Sequence, residues 1–342
     1  MVRLRREISY ARLGVPAEEW KPWKLPDGTP IGVPANFNPV ADGNGGWVLL
    51  KDGSPIARMP KDGFYFDVIE DSPTLDRSPG ALHLDLEQFH PRLLTDEEVE
   101  GFRRRPEALY RETDHAIVLP LERPYQLFRG MGTGGFENWM VTTASDSEYV
   151  HVLLDRVVTA WLTNIERLYE AIGHRVQIFQ TFDDLGTQRA PFISPAMFRQ
   201  LIMPYYKKVF DWIHQHTPWK VPLHSDGALY PLIPYLIEMG VDALNHVQVS
   251  TNGMEATRLK REFGDRLAFW GGVCDCQHTL PFGAPEDVAR EAEQNVRAFA
   301  PGGGYICAPV HNIQAGVPAK NILALFEVAR HTSRWRNTSD PN

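Results

Sequence analysis

Cysteine is scarce in this chain: three residues in 342, at 274, 276 and 307. Three cysteines make no disulfide framework, so the core must come from apolar packing. All three are read as free, buried thiols. No run reaches the roughly 18 apolar residues of a membrane span, and no apolar stretch follows the charged start Met1-Val-Arg-Leu-Arg-Arg-Glu. The expectation is a cytoplasmic protein with no membrane role. Positive charge is not in excess either: the net charge is -8, whereas a nucleic-acid binder is usually basic. Two catalytic signatures are absent, the Gly-x-Ser-x-Gly elbow and the Gly-Lys-Ser/Thr phosphate loop. Gly302-Gly303-Gly304 precedes an apolar run instead of opening a helix, so it reads as a turn.

What is present is an ordinary globular composition, 43% hydrophobic and 23% charged, with enough length for one large domain or two modest ones. Between residues 20 and 74, Asp27-Gly28, Asn44-Gly45-Gly46, Asp52-Gly53 and Asp62-Gly63 separate short apolar runs. Such pairs are hairpin-turn signals. They predict a small, hairpin-rich N-terminal appendage over residues 1–75. From Asp96 onward strands and helices alternate. Strands are expected at 125–128, 176–179, 219–223, 241–245, 267–270 and 303–310. Between them lie amphipathic helices, the longest over 146–172 with Val150, Leu153, Leu154, Val157, Trp161, Ile165 and Leu168 at helical spacing. That alternation predicts a parallel sheet covered by helices: a TIM-like (β/α)8 barrel over residues 76–335, with a tail at 336–342.

Polar, titratable residues recur where the expected strands end. Asp183 and Asp184 follow one strand, His224 and Asp226 the next, then His246, then Cys274 and Asp275, then His311. In a parallel barrel, strand ends converge on one rim, where active sites form. His224 and Asp226, at i and i+2, project to the same side. Imidazole, carboxylate and thiolate all bind metals, and a His–Asp pair supports acid–base chemistry without one. Each residue also has a structural reading: Asp183 or Asp184 as a turn cap, Asp226 before Gly227 as a turn former, the histidines as hydrogen-bonded core groups. Trp270 reads as core or pocket wall.

The motifs Phe182-Asp-Asp-Leu-Gly-Thr-Gln188, Ile193-Ser-Pro195, His224-Ser-Asp-Gly227, Phe269-Trp-Gly-Gly-Val273 and Gly303-Gly-Tyr305 through His311-Asn-Ile313 resemble the uroporphyrinogen decarboxylase superfamily. That superfamily includes corrinoid-dependent methyltransferases. The resemblance implies the barrel fold. In the superfamily's zinc methyltransferases the motif at His224 looks like His-x-Cys, and a second Cys falls where His311 stands. Here Asp226 and His311 replace the thiolates, a set better suited to polarising an oxygen than to activating a thiol. The implied function is methyl transfer from an O-methyl or N-methyl donor, aromatic ethers among them, to the cob(I)alamin of a separate corrinoid protein. Zinc would be held by His224, Asp226 and His311. Asp184 would protonate the leaving oxygen or order the site, and Asp183, His246, Trp270, Cys274 and Asp275 would line the substrate. The alternative is a decarboxylase or lyase acting on a small or porphyrin-like acid. A third reading is a non-catalytic ligand-binding barrel. The decarboxylase's Arg-Gln-Ala-Gly-Arg motif, which binds the substrate carboxylates, is missing here, so uroporphyrinogen turnover is not expected.

Overall fold

Short apolar runs separated by amphipathic helices fold here as a parallel sheet with helical crossovers. The computed structural model describes residues 2–3, 20–24, 28, 30–35, 37–51, 53–63, 65–69, 84–121 and 135–331. The chain divides into two compact units, one of residues 1–3, 86–127 and 143–342, the other of residues 4–85 and 128–142.

The larger unit holds a seven-stranded sheet in chain order. Its strands are β1 (Val2–Arg3), β2 (Ile117–Pro120), β3 (Ile178–Phe182), β4 (Pro222–His224), β5 (Ala243–Asn245), β6 (Ala268–Trp270) and β7 (Tyr305–Ile306). Every neighbouring pair is parallel. Parallel neighbours need a crossover, usually a helix. From β3 on, α3 (Met203–His216), α4 (Ile233–Met239), α5 (Ala256–Phe263) and α6 (Pro285–Phe299) supply it; α2 (Ser147–Ile172) precedes β3 and α7 (Ala319–His331) follows β7. An earlier helix, α1 (Asp96–Glu112), opens on a capping box in which Thr95 and Glu98 satisfy each other's backbone N–H. This sheet has seven strands among the described residues, where eight were expected; the strand expected at 125–128 lies outside them.

Helix α2 follows the sequence pattern. Asp146 caps it by accepting from Tyr149 N–H at 3.0 Å. Its buried stripe includes Val150, Leu153, Leu154, Trp161, Ile165 and Leu168. Trp161 meets Phe179, Tyr206 and Phe210 at 5.8–6.4 Å between ring centroids. Phe179 in turn stacks on Trp219 at 6.0 Å. Ahead of α3 the helix passes through a π turn at Phe198–Ile202. Pro204 has no N–H to continue the α pattern, which accounts for the widened turn.

In the smaller unit, Trp20–Lys24 and Pro30–Pro34 pair antiparallel, and Val40–Ala41, Trp47–Lys51, Ser54–Met59 and Asp67–Val68 form a four-stranded antiparallel sheet. The turn signals sit between these strands. Asp42 shapes one of them, its carboxylate accepting from Asn44 and Gly46 N–H at 2.8 and 2.9 Å. Trp23, Phe37, Trp47 and Phe66 form an edge-to-face aromatic chain.

The sheet of the larger unit has a register that matters for function. Phe182, His224, Asn245, Trp270 and Ile306 are Cα partners across it, and each is the last residue of its strand. Five chains therefore leave the sheet at one level.

Candidate functional site

The loops after β3 and β4 are fastened together. Asp183 N–H donates to His224 O at 2.8 Å, Leu185 N–H to Ser225 Oγ at 2.9 Å and Ala228 N–H to Thr187 O at 2.8 Å. Gly227, at φ +99°, permits this approach: a Cβ there would lie 2.5 Å from Gly186 C. Ser225, fully buried, also donates its N–H to Asn245 O at 2.6 Å. With Ser225 committed inward, residues 224 and 226 face the opposite way.

His224, Asp184, Asp226 and His246 meet on that face. His224 Nε2 lies 3.7 Å from Asp184 Oδ1 and 3.8 Å from Asp226 Oδ2. His246 Nδ1 lies 4.0 Å from Asp226 Oδ1. The two imidazoles pack edge to face at 4.6 Å, and Phe182 lies 5.3 Å from His224. His224 Nδ1 is 3.1 Å from Asn245 Oδ1, which also accepts from Gln180 Nε2 at 2.8 Å. Asp184 Oδ1 accepts from Asp226 N–H at 3.3 Å.

Burial holds the His224 imidazole below its ordinary pKa, against the pull of Asp226 and Asp184. Burial raises the Asp226 carboxyl, a shift that His224 opposes and Asp184 reinforces. Both shifts favour the uncharged forms of these two groups.

Among the described residues, the donor set that could hold a metal ion is His224, Asp226 and His246, with ligand atoms within 4.8 Å of one another. This differs from the expected set in one member. His311 packs edge to face beyond His246, 5.7 Å away between ring centroids, and its Nδ1 faces Gln314 Nε2 at 3.1 Å and Asn312 O at 3.3 Å. The reason is the length of β7: the strand stops at Ile306, so His311 emerges five residues past the common level, whereas His246 leaves it at once.

The other expected residues divide. Asp183 is buried and turns away from the cluster, its carboxylate accepting from Tyr206 of α3. Trp270 is a buried member of the transverse row. Cys274 is fully buried in an apolar cluster with Val273, Leu280 and Val288, so it cannot touch substrate as expected. Burial raises its thiol pKa, and burial pushes Cys276 up to about 11. Asp275 organises its own loop, accepting from Gln277 N–H at 2.9 Å and meeting His278 Nδ1 at 3.0 Å.

Three site residues carried no sequence signal beyond position: Asn245, Gln180 and Gln248. Gln248, nearly buried, accepts from Gly227 N–H at 3.0 Å and donates to Gln188 Oε1 at 3.0 Å and Gln277 Oε1 at 3.4 Å. It ties together the loops after β3, β4 and β6. Neutral amides have no spacing rule, though Asn245 was visible as a polar residue closing an apolar strand.

Comparison with known proteins places this geometry. Uroporphyrinogen decarboxylase 2 of rice, a chloroplast enzyme, is 26% identical over 189 residues, covering 54% of this chain and 44% of that protein. Uroporphyrinogen decarboxylase of Xylella fastidiosa is 23% identical over 197 residues, 55% of this chain and 51% of that one. The chain thus spans about half the length of the curated relatives it matches. A methyltransferase from Methanosarcina mazei shares the fold, with a TM-score of 0.54 at 18% identity over 71% of this chain and 70% of that one. Residues 117–332, more than half of the chain, match the profile described as uroporphyrinogen decarboxylase (URO-D), and the protein belongs to that family.

Proposed function

We propose that this protein is a methyltransferase that takes a methyl group from an O-methyl donor, aromatic ethers among them, or from an N-methyl donor, and passes it to the cob(I)alamin of a separate corrinoid protein. The observation that carries this reading is the His224–Asp226–His246 donor set at the strand ends. Tetrahedral zinc with ligands at about 2.0–2.2 Å sets donor atoms about 3.4 Å apart. One ligand atom from each residue, all within 4.8 Å of one another, reaches that with side-chain rotations. Two imidazoles and a carboxylate are a recognised catalytic zinc set. Zinc bound there supplies Lewis acidity to the donor oxygen.

The residues of this chain do the rest. His224, Asp226 and His246 fix the position of the donor oxygen. As the carbon–oxygen bond breaks, its electron pair would stay on oxygen, and the methyl group would pass to the corrinoid acceptor of the partner protein, which would supply the pair for the new bond. Asp184, 3.7 Å from His224 Nε2, is placed to relay a proton from solvent to the departing oxygen. The curled sheet belongs, in this reading, to a TIM-like (β/α)8 barrel. Among the described residues no helix is long and apolar enough to cross a membrane, which accords with work in the cytoplasm beside a corrinoid protein.

The test is metal analysis of protein purified without added metal, then a donor screen that follows loss of cob(I)alamin absorbance. Stoichiometric zinc and turnover of at least one methoxyarene are expected; no metal and no turnover refute the proposal. The names of the relatives favour a second reading, a carboxy-lyase on the same strand ends. Conversion of uroporphyrinogen to coproporphyrinogen by the pure protein would establish it.

A further inference from the structure

Asn245 occupies a place that a buried parallel strand normally gives to an apolar residue. It is fully buried at the end of β5, and Gln180, two residues from the end of β3, is fully buried as well. Gln180 Nε2 donates to Asn245 Oδ1 at 2.8 Å, and the same oxygen lies 3.1 Å from His224 Nδ1. The remaining amide atoms, Gln180 Oε1 and Asn245 Nδ2, are buried without a hydrogen-bond partner among the described residues. Two apolar side chains of similar shape would avoid that desolvation cost. The amide pair therefore weakens the sheet, and what it contributes is an acceptor aimed at one ring nitrogen.

We infer that Gln180 and Asn245 are positioning residues that hold His224 as the Nδ1–H tautomer, leaving the Nε2 lone pair turned toward Asp184 and Asp226. The donation from Gln180 orients the Asn245 amide so that its oxygen, not its nitrogen, meets the ring. An amide oxygen only accepts, so Nδ1 carries the hydrogen. In a neutral imidazole Nε2 then has none. The carboxylate distances agree. An N–H aimed at a carboxylate closes to about 2.7–2.9 Å, yet Asp184 and Asp226 stand off at 3.7 and 3.8 Å. Neither oxygen closes on Nε2, whose lone pair is left for an electrophilic ligand atom. For the metal centre proposed above, the amide pair makes His224 a ready nitrogen ligand; the tautomer itself does not depend on whether metal binds.

Long-range proton–nitrogen correlation NMR on metal-free, histidine-labelled protein reads the tautomer, with His224 assigned through His224→Gln. The wild type is expected to be protonated at Nδ1. Asn245→Asp keeps an acceptor and retains that state; Asn245→Leu and Gln180→Leu shift the population toward Nε2–H. In a Co(II) titration, Asn245→Leu is expected to bind about 10–100-fold more weakly, while Asn245→Asp stays near wild type. A wild-type His224 protonated at Nε2 overturns the assignment, and so does Asn245→Leu with unchanged tautomer and affinity. Should Asn245→Leu fail to fold, the wild-type spectrum and Gln180→Leu still decide. Wild-type protein that binds no Co(II) refutes the metal centre instead, and the tautomer is then settled by NMR alone.

Discussion

Replacing Gly227 by alanine should loosen the site from its backbone outward. Two costs combine. An L-residue at φ +99° carries about 1–2 kcal/mol of local strain. The added Cβ would also lie 2.5, 2.6 and 2.8 Å from Gly186 C, Gly186 O and Thr187 O, against ordinary contact at 3.4 Å. All three are backbone atoms, so the loops must part by about 0.9 Å, the shortfall at the closest contact. That movement stretches the 2.8 Å bond from Ala228 N–H to Thr187 O past bonding range and weakens the 2.9 Å bond from Leu185 N–H to Ser225 Oγ. At about 1 kcal/mol for each bond, the total comes to roughly 3–4 kcal/mol. Gly302 provides the control. It has φ +74° but nothing within 4 Å of its would-be Cβ, so Gly302→Ala should show the strain alone. Urea denaturation of both variants reads the difference, and Co(II) binding reads whether Asp226 has moved. Gly227→Ala as stable as Gly302→Ala, with wild-type metal affinity, would refute the fastening role given to this contact.

Three further outcomes are expected. His246→Ala should weaken Co(II) binding by more than about 100-fold, about 2.8 kcal/mol, and His311→Ala by less than that, since only the first is in the donor set; the reverse ranking in a competition titration would restore His311 as the ligand. Gln248→Leu leaves the buried Gly227 N–H without its acceptor, which should cost about 1–3 kcal/mol in denaturation midpoint analysis; an unchanged midpoint would show that the loops are held without it. Cys276, with its thiol pushed up to about 11, is neutral at pH 8 and should alkylate on the order of 100-fold more slowly than a free thiol. Its rate should still be climbing between pH 8 and 9.5, and a plateau there would contradict the raised pKa.

The α/β class was legible because periodicity and strand-end position survive in one dimension. α2 could be read from its apolar stripe and its Asp146 cap, and the hairpins from their Asp-Gly and Asn-Gly turns. The pair His224 and Asp226 was legible for the same reason, since i and i+2 share a side. What the chain did not disclose depends on where each strand stops. His311 follows a run that looks like an eight-residue strand, yet the strand proper is only Tyr305–Ile306, so the histidine lies five residues past the common level. Cys274 follows Trp270 closely, but Gly271 and Gly272 both take positive φ and turn the chain back into the core. Gln180 and Asn245 have no motif because their meaning lies in a cross-strand meeting 65 residues apart.

Ser225 stands between His224 and Asp226, and its buried hydroxyl and N–H are tied to Leu185 N–H and Asn245 O. The middle residue thus helps to fix the course of the chain through 224–226, and a change of side chain at 226 leaves those two bonds in place. In the proposed metal centre, exchanging Asp226 for Cys would turn a hard oxygen donor into a soft sulfur one, shifting both the preferred metal and the kind of leaving atom it could polarise. The anchoring at 225 and the chemistry at 226 are thus carried by different residues.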